Sequence, residues 1–204
     1  YENMKLRMLN GAHSMLAYSG LLSGKALVRD VMSDPDHALI VKRHLAAAAA
    51  TVKGLSIDLD SYSSALTERF SNPAIAHSTT QIAMDGTQKL PQRITAPALE
   101  TIAAGGSIRP FAFSLAAWLA YLVQKDSDGN SQTLNDPRAT ELQRALRNTA
   151  TSEEIIRGVA AVCPDVLPEK LTGGIFGAML REILNEIQTQ GMAAFIKREA
   201  QRGD

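Results

Sequence analysis

Met4-Lys5-Leu6-Arg7-Met8-Leu9-Asn10-Gly11-Ala12-His13-Ser14-Met15-Leu16 is the stretch whose patterning decides the fold class. Met4, Met8, Ala12 and Met15 recur every three or four residues and are joined by Leu9 and Leu16, so one side of a helix is apolar and seeks a core. That helix should run to about Leu22, just before Ser23-Gly24. The same period returns along the chain. Asp34-Pro35-Asp36 opens a second helix, with Pro35 in its first turn and an alanine run at 46–50 as a small-residue packing face at its end. Asp58 or Asp60 caps a third, which carries Tyr62, Leu66 and Phe70 at fourfold spacing. Ser71-Asn72-Pro73 stops it, because the residue before a proline is pushed out of the helical region.

A short helix over 75–84 should follow and end at Asp85-Gly86, with further helices over 97–104 and 110–124 separated by Gly105-Gly106. Lys125-Asp126-Ser127-Asp128-Gly129-Asn130 reads as an exposed turn, and three more helices begin near Asp136, Ser152 and Gly174, the last broken at Gly191. No run alternates apolar and polar residues as a half-buried strand would. The expectation is an all-α, multi-helix fold forming one helical domain over residues 1–204.

Composition removes several function classes. The 21 Lys+Arg balance 21 Asp+Glu, which leaves no net electrostatic drive toward nucleic acid or an anionic membrane. The longest near-apolar stretch, around 108–123, is interrupted by Arg109, Pro110 and Ser114 and is too short to cross a bilayer. A single cysteine, Cys163, excludes an intrachain disulfide or a Cys-based zinc site and suits a reducing cytoplasm. His13, His37, His44 and His77 are scattered, with no His-Glu-x-x-His pattern, so no metal is expected. Gly173-Gly174 with Gly177 lacks the strand and full glycine spacing of a dinucleotide fingerprint and reads as a closely packed helix entry. Tyr1-Glu2-Asn3-Met4-Lys5 is neither an initiator methionine nor a signal peptide and reads as the start of an excised domain.

Two segments could carry chemistry. At about 100° per residue Asn10 lies roughly 140° and His13 roughly 80° around the helix from Lys5, so the three fit within one half of its surface. Lys5 lies beside Met4 and Met8, where partial desolvation would favour the neutral amine that accepts a proton; Asn10 could polarise an oxygen, and His13 could bond an adjacent hydroxyl. The alternative is a solvated helix edge. In Gln81-Ile82-Ala83-Met84-Asp85-Gly86-Thr87-Gln88-Lys89-Leu90-Pro91-Gln92-Arg93, Lys89 and Arg93 could receive an anionic group, and His77 and Gln81, four apart, would face the same way; the alternative is a helix end and a surface loop. Arg69-Phe70-Ser71-Asn72-Pro73 is structural, with Phe70 buried and Asn72 stabilising the turn.

The segment from Met4 to Ser14 resembles the catalytic-helix motif of the mannitol dehydrogenase family, the polyol-specific long-chain dehydrogenases. The resemblance continues through Arg69-Phe70-Ser71-Asn72-Pro73-Ala74-Ile75, Asp85-Gly86-Thr87-Gln88-Lys89, Ala116-Ala117-Trp118-Leu119-Ala120-Tyr121-Leu122 and the Asp126-Ser127-Asp128-Gly129-Asn130 turn with Asp136-Pro137 beyond it. It implies a two-domain enzyme, whose N-terminal Rossmann domain holds NAD, or NADP, and whose helical C-terminal domain holds a small sugar acid or polyol. This chain looks like the second domain, partnered by the first. The resemblance makes Lys5 the general base of alcohol oxidation and the general acid of ketone reduction, gives Asn10 the polarising role and His13 the orienting role, and matches Lys89 to a substrate-contacting lysine. Gln81 stands where mannitol-specific members tend to place an arginine, and the segment 81–93 looks closer to the hexuronate-handling branch, in which Lys89 or Arg93 would meet a carboxylate. A polyol dehydrogenase or a different hexuronate reductase of the same family, and a non-catalytic helical module for ligand binding or association, remain as alternatives.

Overall fold

The first helix, α1, covers residues 2–22 as one continuous helical rod, but its middle is not α-helical: Glu2–Met4 is α, Lys5–Asn10 is π, and Gly11–Leu22 is α again. The computed structural model describes residues 1–125, 128–129 and 132–203. After α1 come α2 (Val28–Met32), α3 (Pro35–Ala49), α4 (Leu59–Ser71) and α5 (Thr79–Ala83). Then α6 runs over residues 86–104, with its own π segment at Pro91–Thr95 between α-helical Gly86–Leu90 and Ala96–Ala104. Helices α7 (Arg109–Leu122), α8 (Ala139–Leu146), α9 (Ser152–Val162), α10 (Glu169–Thr172), α11 (Gly174–Gln190) and α12 (Met192–Ala200) complete the order. Among the described residues there is no strand, only an isolated bridge between Leu27 and Ser78. No helix there is long and apolar enough to cross a membrane.

The elements follow from their ends and their apolar faces. Asp34 caps α3 by accepting the Asp36 N–H, and Asp58 caps α4 by accepting those of Asp60 and Ser61, so Asp58 is the cap and Asp60 is not. Thr151 and Glu154 close a capping box at the start of α9. Helix α7 is buried on nearly every face, with Phe111, Phe113 and Trp118 all inside, and it packs against both α1 and α11. Helix α12 is held against it by stacking of Phe195 on Phe113, with centroids 5.3 Å apart, and by the bidentate Arg109–Glu199 pair. At the entry to α11, a Cβ on Gly177 would fall 2.1 Å from the Thr172 carbonyl oxygen, the close packing expected of that glycine cluster.

Three sequence expectations change. The stretch 75–78 is extended rather than helical, because its backbone pairs with a distant segment: Val28 N–H donates to His77 O and Thr79 N–H to Ala26 O, both at 3.0 Å. Residues 86–95 are helical rather than a loop, since Pro91 enters at the first position of a π segment, where its missing N–H costs little. The short helices α2 and α10 were unmarked by periodicity. In the polar turn expected at 125–130, Asp126, Ser127 and Asn130 lie outside the described residues.

Candidate active site

The two π segments pack against each other, and this contact assembles the site. Single π insertions occur often at functional positions, where they re-aim side chains relative to a regular helix. In the first, the Gly11 N–H reaches back to Leu6 O, the i→i+5 pattern, so residues five apart become neighbours on successive turns. Lys5 and Asn10 are therefore brought closer together around the helix than the roughly 140° of a regular α-helix would leave them. Arg7, between them, faces the other way and is only 8% exposed. Its guanidinium makes two 2.6 Å bonds to the carboxylate of Glu100 and donates to Thr51 O at 2.8 Å, tying the first π segment to the helix that follows the second.

Lys5 is exposed, and its side chain makes no hydrogen bond or ion pair to another described residue. The desolvation expected from Met4 and Met8 is not supplied here, because those side chains turn into the core while Lys5 stays at the surface. Asn10 is half-buried, and its amide likewise has no side-chain partner among the described residues. His13 is more enclosed. Its ring meets Phe70, with centroids 4.7 Å apart, and His77, 5.2 Å away and edge-on at 84°. Its Nε2 is buried without a hydrogen-bond partner. Burial, with further contributions from His77, Arg69 and Arg93, lowers the His13 pKa to about 4, so this imidazole is neutral at physiological pH.

The second segment contributes Arg93, whose Nη1 donates to Ser14 Oγ at 3.1 Å, one residue beyond His13. Among the described residues no carboxylate pairs with it, and burial lowers its pKa, with Tyr18 opposing. Lys89 is differently placed. Its Nζ donates to Met84 O at 2.6 Å and Ile82 O at 3.4 Å and lies 3.9 Å from the Asp85 carboxylate, so its donors are largely committed within the chain. Burial, then Arg93, lowers its pKa against the opposing pull of Asp85 and Asp136. Gln81 is exposed, with no side-chain hydrogen bond to His13, Lys89 or Arg93. The helical pairing expected of His77 with Gln81 does not form, because His77 precedes α5 in the extended stretch and meets His13 instead.

Asp136 is a residue whose role the sequence concealed. Its carboxylate accepts the Thr87 N–H at 2.8 Å and the Thr87 hydroxyl at 2.6 Å, joining the segment after the polar turn to the start of α6. Gly86, next to Thr87, is closely packed: a Cβ would lie 2.6 Å from Tyr18 Oη and 2.7 Å from Trp118 Nε1. Asp85 takes the left-handed conformation (φ 57°) that turns the chain from α5 into α6. Phe70 is buried and Asn72 accepts the Ala74 N–H, as expected of that helix stop.

Residues 1–163 match the mannitol dehydrogenase C-terminal domain. The chain is 38% identical over 175 residues to D-mannonate oxidoreductase of Escherichia coli, covering 83% of this chain and 36% of that protein. It is 33% identical over 171 residues to mannitol 2-dehydrogenase of Aspergillus niger, covering 82% and 35%. The chain thus spans about a third of the length of the curated relatives it matches. The structure of Pseudomonas fluorescens mannitol 2-dehydrogenase, a ternary complex with NAD and D-mannitol, superimposes with a TM-score of 0.88 at 28% identity, covering 100% of this chain and 41% of that one. With the all-helical fold and a match over four fifths of its length, the chain belongs to the mannitol dehydrogenase family, in its C-terminal domain.

Proposed function

We propose that this chain is the substrate-binding and proton-transfer domain, over residues 1–204, of a cytoplasmic NAD-dependent D-mannonate oxidoreductase, also called fructuronate reductase. The reaction is the interconversion of D-mannonate and D-fructuronate. The observation that carries the choice of substrate is Arg93, a largely enclosed guanidinium beside His13 with no carboxylate partner among the described residues. A half-buried fork of donors with no carboxylate partner among the described residues is matched by a carboxylate-bearing substrate and wasted on a neutral polyol. The 38% identity to a D-mannonate oxidoreductase supports the same reading.

The orphaned Nε2 of His13 and the unpaired side chains of Lys5 and Asn10 fit a polyhydroxylated ligand held against a second body, an N-terminal Rossmann domain of the same protein. When bound, NAD supplies the hydride acceptor for oxidation and the hydride donor for reduction. Lys5 Nζ takes the proton of the reacting hydroxyl during oxidation and returns it to the carbonyl oxygen during reduction. Because Lys5 is exposed in this chain, the second body is what would cover the first π segment and keep water from the reacting groups. The Asn10 amide donates to the reacting oxygen as negative charge grows on it. His13, neutral and clamped, presents Nε2 to an adjacent hydroxyl. Lys89, with its donors shared among carbonyls, and Gln81, exposed, are the further side chains that would meet the substrate.

The test is Arg93→Ala in the full-length protein. The Michaelis constant for D-fructuronate should rise about tenfold or more, as for loss of a charged hydrogen-bonded contact, while that for D-fructose stays within about twofold. Equal losses on both substrates would remove the carboxylate role. A mannitol 2-dehydrogenase is the second reading, favoured by the close fold match to an NAD and D-mannitol complex.

A further inference from the structure

His77 is not needed for the proton-transfer chemistry described above, yet it is built into the site. Its backbone is locked by the Val28 N–H, and the next residues are locked by the Leu27–Ser78 bridge and by Thr79 Oγ1, which donates to Ala26 O and Lys25 O at 2.9 Å. The pairing that makes 75–78 extended thus fixes where this imidazole stands. The ring sits edge-on against His13, which also meets Phe70, and is half-buried. Neither ring nitrogen has a hydrogen-bond partner among the described residues. A histidine held by non-local backbone pairing, packed by its edge and left with free nitrogens is arranged to offer a donor to something outside the chain.

From this geometry we infer that His77 is a specificity-determining residue, whose imidazole N–H donates to the carboxylate end of a sugar-acid substrate and shares that group with Arg93. This rests on the reading of the site given above. Two side chains from different elements then meet one carboxylate: Arg93 from the second π segment and His77 from the segment paired with 26–28. Arg69, which adds its own positive field at His13, reinforces the preference for an anion. The rest of the ligand lies along Lys5, Asn10 and His13, so loss of the His77 donor weakens binding without touching the proton transfer.

His77→Phe keeps an aromatic edge against His13 and removes the donor, whereas His77→Asn keeps a donor and loses the ring. In the full-length protein, steady-state reduction of D-fructuronate and D-fructose by NADH would be compared for the wild type and both variants. The expected result is a rise of about tenfold in the D-fructuronate KM for His77→Phe, with kcat within about threefold and D-fructose constants unchanged, and a KM for His77→Asn nearer that of the wild type. An unchanged D-fructuronate KM in His77→Phe would overturn the inference, as would a loss shared equally by both substrates. A wild-type enzyme that reduces D-fructose but not D-fructuronate would overturn the sugar-acid reading and the inference together, so the two failures are told apart by the wild type alone.

Discussion

Gly11 and Arg93 meet backbone to backbone: a Cβ on Gly11 would stand 3.1 Å from the main-chain oxygen of Arg93. This contact lets α1 and α6 approach where their π segments lie side by side, bringing Lys5, Asn10 and His13 from one rod beside Arg93 from the other. The two π segments thus hold the residues of the candidate site together.

Lys5→Ala in the full-length protein should lower kcat by about two to four orders of magnitude, the usual range for losing a positioned general acid or base, with little change in KM. Because Lys5 is exposed, the stability of the variant should stay within about 0.5 kcal/mol of the wild type. Partial recovery of kcat with added primary amines would separate a proton-transfer role from a structural one.

The Arg7–Glu100 pair is asymmetric, since Arg7 is buried while the Glu100 side chain is 49% exposed. Arg7→Ala empties a buried site and strands Thr51 O, and should cost about 2–4 kcal/mol in urea unfolding. Glu100→Gln keeps one acceptor near a solvent-screened edge and should cost about 1 kcal/mol or less. A reversed order would show that the pair does not clamp the π segment.

Gly86→Ala should destabilise by about 1–3 kcal/mol, because its methyl group would press on Tyr18 Oη and Trp118 Nε1, both belonging to fully buried side chains. A changed Trp118 emission in the folded variant is the accompanying signature, and an unaltered melting curve would contradict the packing described.

Acid should weaken the fold through His44, which is fully buried on α3, contacts Ser114 Oγ through Nδ1 at 3.2 Å and leaves Nε2 without a partner. Burial pushes its pKa down to about 4, below the ordinary value of 6.5 that it regains on unfolding. Between those values the unfolded chain binds the extra proton, so the stability is complete above pH 6.5 and drains as the pH falls toward 4, by a total of order 3 kcal/mol. Unfolding free energies at pH 7 and 4.5 should therefore differ more in the wild type than in His44→Gln.

The elements whose boundaries were legible are those written in local chemistry. Asp34 and Asp58 announce their helices as capping carboxylates, Asn72-Pro73 a stop, and Gly191, with φ 81°, the break before α12. The π segments were not legible, because Lys5–Asn10 and Pro91–Thr95 contain nothing that separates an i→i+5 turn from an ordinary one; their mutual packing stabilises them. The same limit hid where His77 stands, because its position depends on pairing with residues 26–28 about fifty positions earlier and not on a helical turn shared with Gln81. Lys5, Asn10 and His13 stood out by motif, yet the exposure of Lys5 and the commitment of Lys89 to backbone carbonyls emerge only once the chain is folded.

The central claim is tested most directly by measuring NADH oxidation by the full-length protein with D-fructuronate, D-tagaturonate and D-fructose in parallel. A kcat/KM advantage of about a hundredfold or more for D-fructuronate, abolished by Lys5→Ala and absent from the isolated 204-residue chain, is the predicted result. Equal or better turnover of D-fructose would contradict it, leaving Arg93 and His77 as donors without the carboxylate assigned to them.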